Sequence, residues 1–211
     1  QKLPEVESRA TQRYVRCVAQ AITSQVQDPS VPSQWEVVVF QDESPNAFAV
    51  PGGKIGVHSG ILTVAENQAQ LATVLGHEVA HVVAHHANER VSQQAVASAA
   101  LSVAGQALSP ATVAALGMGA QVGVLLPFSR AQEREADLVG LDLMARAGFD
   151  PRESVEFWRN LERAQRGGSV EFLSTHPSGT TRMQDLQARM DHAMQLYRQA
   201  RAAGRNPDCA R

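Results

Sequence analysis

Two histidines four residues apart, in His77-Glu78-Val79-Ala80-His81, constrain the fold of this chain more than any other feature. On a helix, residues i and i+4 stand one above the other on the same face. The two imidazoles can then aim at one ion, with Glu78 beside that face, placed to hold a water. The flanking segments Gln70–Gly76 and Val82–Ala84 are largely apolar, so the helix that carries this pattern is expected to be buried. Buried His and Glu need partners, and a metal with its water supplies them. The pattern is that of a zinc-dependent peptidase.

The chain has 211 residues, enough for one domain with a substantial core, and we read residues 1–211 as a single catalytic domain with a loose tail from about residue 204. A net charge of −2 gives no electrostatic reason to expect nucleic acid. No Lys/Arg run suggests a polybasic membrane patch. Few aromatics and abundant alanine favour helix over sheet. The chain opens on Gln1 with no methionine and no signal pattern. A processed form or a trimmed piece is expected, with any targeting segment out of view. Cys17 and Cys209 lack the short spacing of a structural zinc site or a redox dithiol. One reading is a disulfide tying the tail to the first helix, contributing roughly 4–5 kcal/mol by closing so long a loop. The other is two unrelated thiols.

Along the chain, Pro4 to about Gln27 reads as a helix and Asp28–Pro32 breaks it. Trp35–Phe40 reads as a strand. Asn46–Val50 and Lys54–His58 read as two more around a Pro51-Gly52-Gly53 turn. A long helix then runs from about Gln68 through the paired histidines. Val91–Ser129 contains no charged residue, but it is rich in Ala, Gly, Ser and Gln, and Ser109-Pro110 splits it. A membrane helix needs about 20 strongly apolar residues. Two close-packed small-residue helices, or a mobile cover near the site, fit better than a span, and surface contact with a membrane is the remaining option. Ser129 with Gln132 forms a capping box for a helix that ends at Gly148. Asp150–Glu153 opens the next helix, which stops near Gly167-Gly168. A loop carries His176-Pro177, and a last helix runs from about Thr180 to Ala202.

A catalytic zinc site takes three protein ligands and keeps one position open. His85 lies about 12 Å along the helix from His77, too far to share an ion. His86 points to another face. Both are expected behind the ligands or at the surface. The metzincin pattern fails, because Ala84 and Ala87 stand where it needs glycine and histidine. Glu133-Arg134-Glu135-Ala136-Asp137 is the better source. Glu133 and Asp137 share one helical face, so Glu133 can bind the ion while Asp137 accepts a hydrogen bond from the far nitrogen of a ligand histidine.

His77–His81, then Ser129–Asp137, then Thr175-His176-Pro177 with Arg182 beyond, together with Asn46–Ile55, resemble the zinc metallopeptidase family of HtpX and the CAAX prenyl proteases, and within it the periplasmic, outer-membrane-associated LoiP/BepA-like members. The resemblance covers nearly the whole chain. It implies an α+β, mostly helical, zincin-like fold with a small antiparallel sheet beside the HExxH helix. It implies one zinc ion on His77, His81 and Glu133, with Glu78 as general base, and it points to His176 and Arg182 as groups facing the reacting carbonyl. In some soluble relatives the matching histidine fills the fourth zinc position and holds the enzyme closed, so His176 is either a latch or an oxyanion donor. The strand Asn46, Ala47, Phe48, Ala49 would offer an edge to an extended substrate. The expected substrates are misfolded or misassembled envelope proteins, with outer-membrane or envelope proteins as partners. The expected place is the periplasm, at the outer membrane, where a lipid anchor beyond this chain could hold it. The rival reading is a binding or assembly module whose zinc site stays shut.

Overall fold

The computed structural model describes residues 3–104, 128–168, 170–177 and 181–210. The first helix, α1 (Arg9–Thr23), starts later than the periodicity suggests, because Ser8 caps it by accepting from Thr11 N. The residues before the cap are extended instead. Glu5 bridges antiparallel to Phe40, and Val6 N donates to Val39 O at 2.9 Å. Pairing with a strand satisfies these backbone groups where an uncapped helical turn would not. The buried stripe of α1 is Tyr14, Val15, Val18, Ala19 and Ile22.

Three strands follow, β1 (Glu36–Phe40), β2 (Ala47–Val50) and β3 (Lys54–His58), in the order β1-β3-β2. The sheet is mixed, which corrects the expected antiparallel one. β2 and β3 are an antiparallel hairpin with Ala47 opposite Val57, but β1 runs parallel to β3, Val38 opposite Gly56. The hairpin turn uses Gly52 and Gly53, at φ 98° and 79°, a region that suits glycine. β1 therefore meets β3 on the far side of this hairpin, and two reversals of direction leave β1 and β3 parallel. β2 is one edge strand, and the outer side of β1, the other, is met by Glu5 and Val6.

After a short α2 (Ile61–Val64) comes α3 (Gln68–Val83), whose N-cap Asn67 accepts from Ala69 N and Gln70 N. Every residue of α3 from Ala69 to Val82 is buried. It is the central rod of the fold, packed by α1, by β2 and by the later helices α5 and α6. α4 (His86–Ala104) follows after His85, a non-glycine residue at φ 55°. The second small-residue helix expected beyond Ser109-Pro110 lies outside the described residues. No described helix is long and apolar enough to cross a membrane.

α5 (Arg130–Ala147) has the expected Ser129/Gln132 capping box and ends at Gly148 in the left-handed region. It crosses α3 at a contact between two glycines. A Cβ placed on Gly140 would lie 2.8 Å from Gly76 C and from His77 N. Only two glycines allow the backbones this close, and the crossing lies at the level of the first histidine. α6 (Glu153–Gly167), α7 (Glu171–Thr175) and α8 (Arg182–Ala202) complete the chain.

The tail is held rather than loose. Cys17 and Cys209 form a disulfide, Gln68 Nε2 donates to Pro207 O at 3.0 Å, and Cys209 N donates to Gln68 Oε1 at 2.9 Å. A cysteine and two backbone groups bind the tail to α1 and to the start of α3, which the polar composition after Gly204 does not reveal.

Candidate metal centre

α3 carries His77 and His81 on the face that meets α5, and α5 presents Glu133 and Asp137 from its first two turns. His176 is the C-cap of α7, its N–H donating to Phe172 O, and Arg182 is the first residue of α8. All six side chains are buried. His77, His81, Glu133 and His176 each offer one ligand atom, and these four atoms lie within 4.8 Å of one another.

The pairwise distances test whether a cation fits. His77 Nε2 is 3.0 Å from His81 Nε2, 3.1 Å from His176 Nδ1 and 3.6 Å from Glu133 Oε2. Glu133 Oε1 is 3.4 Å from His81 Nε2 and 2.9 Å from His176 Nδ1. Ligand atoms at the corners of a tetrahedron, 2.0–2.1 Å from its centre, stand about 3.3 Å apart. The cluster has the size of that tetrahedron. Three buried imidazole nitrogens and a carboxylate gathered this closely form an arrangement that a shared cation would stabilise. The donor set fits a metal ion.

A buried hydrogen-bond frame holds the donors. His77 Nδ1 lies 2.9 Å from Asp137 Oδ1, which leaves Nε2 for the cluster. Arg182 donates from Nε to Asp137 Oδ2 at 2.5 Å and from Nη2 to Glu133 Oε2, while its guanidinium lies 3.8 Å above the Trp158 ring. Two of the three Arg182 nitrogens are thus committed to carboxylates, and Nη1 has no hydrogen-bond partner among the described residues. Arg182 lies between the Glu133 and Asp137 carboxylates as their shared counter-charge.

Glu78 points from α3 toward the sheet. Its Oε2 accepts from Ala49 N at 3.2 Å, and its Oε1 lies 3.3 Å from His176 Nε2 without a hydrogen bond. The outer edge of β2 therefore faces Glu78. Of the predicted edge residues, Asn46 accepts from His58 N, Ala47 is buried in the sheet, Ala49 is the one that touches the site, and Phe48 is exposed. Burial raises the Glu78 carboxyl to about 7, against the pull of His176. Burial lowers His81 to about 4 and drives His77 well below the ordinary histidine value. Burial alone would raise Glu133, but the ring nitrogens of His176 and His81 within hydrogen-bonding reach hold it far below the carboxylate range. Burial also works against a charged His176, yet the Glu78 and Glu133 carboxylates raise it. The imidazoles of α3 are thus kept neutral and Glu133 ionised, the protonation states a metal requires.

His85 turns away and contacts Ser30 Oγ at 3.2 Å. His86 is buried against His81, their Nδ1 atoms 2.9 Å apart, and its Nε2 lies 3.3 Å from Glu135 Oε2. Sequence spacing cannot single out His86, because its approach depends on the chain reversal at His85. Phe128 packs at a tilt against His81 with ring centroids 4.0 Å apart, and Phe172 stacks on His176 at 4.5 Å.

A model of peptidase family M48 matches residues 9–190. The chain belongs to that family. Among M48 relatives, it is 38% identical over 193 residues to the mitochondrial metalloendopeptidase OMA1 of Saccharomyces cerevisiae, covering 82% of this chain and 54% of the relative. It is 39% identical over 163 residues to OMA1 of Schizosaccharomyces pombe, covering 73% and 46%. It is 27% identical over 198 residues to the beta-barrel assembly-enhancing protease of Escherichia coli, covering 88% and 40%. The chain thus spans about half the length, or less, of the M48 relatives it matches.

Proposed function

We propose that this chain is the catalytic unit of a zinc-dependent endopeptidase. The observation that carries the reading is the convergence of His77, His81 and Glu133 on one point, with the Glu78 carboxylate beside it. His77, His81 and Glu133 would hold the ion, and Asp137 and Arg182 would orient and neutralise them. Zinc bound there supplies a Lewis acid that lowers the pKa of a coordinated water toward about 7 and polarises a carbonyl. Glu78 accepts a proton at Oε1 and later returns it to the departing amine. Its burial keeps its proton affinity near neutrality, which suits both transfers. The edge of β2 aligns an extended substrate chain through main-chain hydrogen bonds near Ala49. The apolar walls of Phe128 and Phe172 exclude water from the reacting groups.

The substrates we infer are misfolded or misassembled proteins of the cell envelope, met in the periplasm at the outer membrane. The named role of the beta-barrel assembly-enhancing relatives supports this. The Cys17–Cys209 disulfide supports an oxidising compartment. The test is digestion of an unfolded casein-type substrate with and without chelator, by the wild type and by Glu78→Gln. Loss of cleavage in E78Q with zinc retained supports the reading, and wild-type cleavage by E78Q refutes the role of Glu78.

His176 favours a second reading of the resting state. Its Nδ1 stands inside the donor cluster, where it would fill the fourth position and keep the site shut. His176→Ala should then cleave faster than wild type. If His176 instead supports the oxyanion, the same variant cleaves more slowly.

A further inference from the structure

The imidazole of His81 has a neighbour behind it. We propose that His86, backed by Glu135, is a positioning residue that fixes the proton of His81 on Nδ1 and so directs His81 Nε2 at the metal. The inference rests on reading the cluster as a metal centre.

Proton placement follows from three contacts, two of them buried and the outermost, to Glu135, partly exposed. His81 Nε2 is the atom inside the cluster, 3.4 Å from Glu133 Oε1. A neutral imidazole that offers the lone pair of Nε2 carries its proton on Nδ1. That Nδ1 lies 2.9 Å from His86 Nδ1. Two ring nitrogens this close share one proton, so one donates and the other accepts. With His81 as donor, His86 accepts at Nδ1 and carries its own proton on Nε2. That N–H faces Glu135 Oε2 at 3.3 Å, and an ionised carboxylate can only accept. The opposite order would turn a lone pair of His86 toward the Glu135 carboxylate, and it would leave the proton of His81 on Nε2, where Glu133 could accept it but no lone pair would remain for a metal. His81 and His86 are 3% and 1% exposed, so the rings hold each other in place of solvent.

Local geometry shows how this arises. On an unbroken helix, residue i+5 sits about 140° round the axis from residue i. The left-handed backbone of His85, φ 55°, ends α3 and brings the ring of His86 back onto His81. The acidic run of α5 then serves both histidines. Asp137 meets His77 directly, and Glu135 meets His81 through His86. Glu135 is the more exposed of the two, so His86 carries most of the effect.

The experiment compares the wild type with His86→Phe, which keeps a ring but removes the acceptor, and His86→Asn, which restores an acceptor near the Nδ1 position. Zinc affinity is measured by competition with a chromophoric chelator. The ring tautomer of His81 is read in the zinc-free proteins by long-range proton–nitrogen correlation. H86F should weaken zinc binding about 10–100-fold, the range for lost outer partners of metal ligands. H86N should recover most of that loss, and Glu135→Ala should show a smaller loss. His81 should carry its proton on Nδ1 in the wild type and lose this preference in H86F. Equal weakening by H86F and H86N, or wild-type affinity in H86F, overturns the proposal. If H86F does not fold, H86N, E135A and the wild-type tautomer decide it. If the wild type binds no zinc while His81 is protonated on Nδ1, the metal-centre reading fails and the proton arrangement stands. A proton on Nε2 of wild-type His81 refutes the arrangement.

Discussion

Gly140→Ala tests the crossing that builds the site. The added Cβ would meet Gly76 C and His77 N at 2.8 Å and Gly76 O at 3.0 Å. Ordinary contact begins near 3.4 Å, so α3 and α5 must separate by about 0.6 Å. None of the three atoms belongs to a side chain that could swing aside. They are backbone atoms of a helix buried from Ala69 to Val82. Overpacking of this kind costs about 1–3 kcal/mol, and contact with backbone puts the change in the upper half of that range. In a chain of this size, 2–3 kcal/mol lowers Tm by about 4–12 °C. The same separation falls on the Asp137–His77 hydrogen bond, now 2.9 Å, and on the 3.6 Å approach of Glu133 to His77. Stretched by about 0.6 Å, the hydrogen bond leaves the bonding range, so zinc affinity should drop about tenfold or more. Calorimetric melting of the metal-free protein and chelator competition measure the two effects. Gly167→Ala is the control, since a Cβ there meets nothing within 4 Å. A G140A protein that melts within a degree of wild type and binds zinc equally would refute the claim that this contact sets the site.

Arg182→Met leaves Glu133 and Asp137 buried without their shared cation, which should destabilise the metal-free protein by about 3–5 kcal/mol and the zinc-loaded protein by less, as seen by chemical denaturation of both forms. Reduction of the Cys17–Cys209 disulfide, or Cys209→Ser, removes a cross-link between residues 192 apart and should cost up to roughly 5 kcal/mol in the chain-entropy model; an unchanged denaturation midpoint would contradict this. Glu78 is raised in the fold to about 7 and must be ionised to accept a proton. Cleavage should therefore fall as pH drops, with the midpoint at or below 7 because bound cation favours the carboxylate, and an acid limb centred above pH 8 would exclude Glu78 as the base. His81 is lowered to about 4, below the unfolded histidine value of about 6.5, so the unfolded chain binds the extra proton first. This histidine's contribution to stability is complete above pH 6.5 and declines toward pH 4, a slope that His81→Gln should flatten in pH-dependent melting of the metal-free protein.

Much of the local structure was legible because it depends on neighbours in sequence. Asn67 and the Ser129/Gln132 pair start helices where their side chains reach the free N–H groups, and Gly148 ends one where only a left-handed residue fits. The start of the first helix was not legible, because Val6 fits a helical period as well as a strand, and only the presence of β1 beside it makes strand pairing available. The mixed sheet was hidden for the same reason, whereas the disulfide that ties the tail to α1 is one of the two readings the cysteines offered.

By itself, the sequence determined that two imidazoles and two carboxylates, each pair four residues apart, would stand on single helical faces, since 3.6 residues per turn is a property of the backbone alone. Which pair would meet which was decided by the tertiary structure. The bare backbone contact of Gly76 with Gly140 brings α5 to α3, the cap of α7 adds His176, the start of α8 adds Arg182, and the turn at His85 returns His86. These groups lie far apart along the chain, or beyond a helix break. Their convergence follows from how close two helices can pack and from the need of each buried polar atom for a partner.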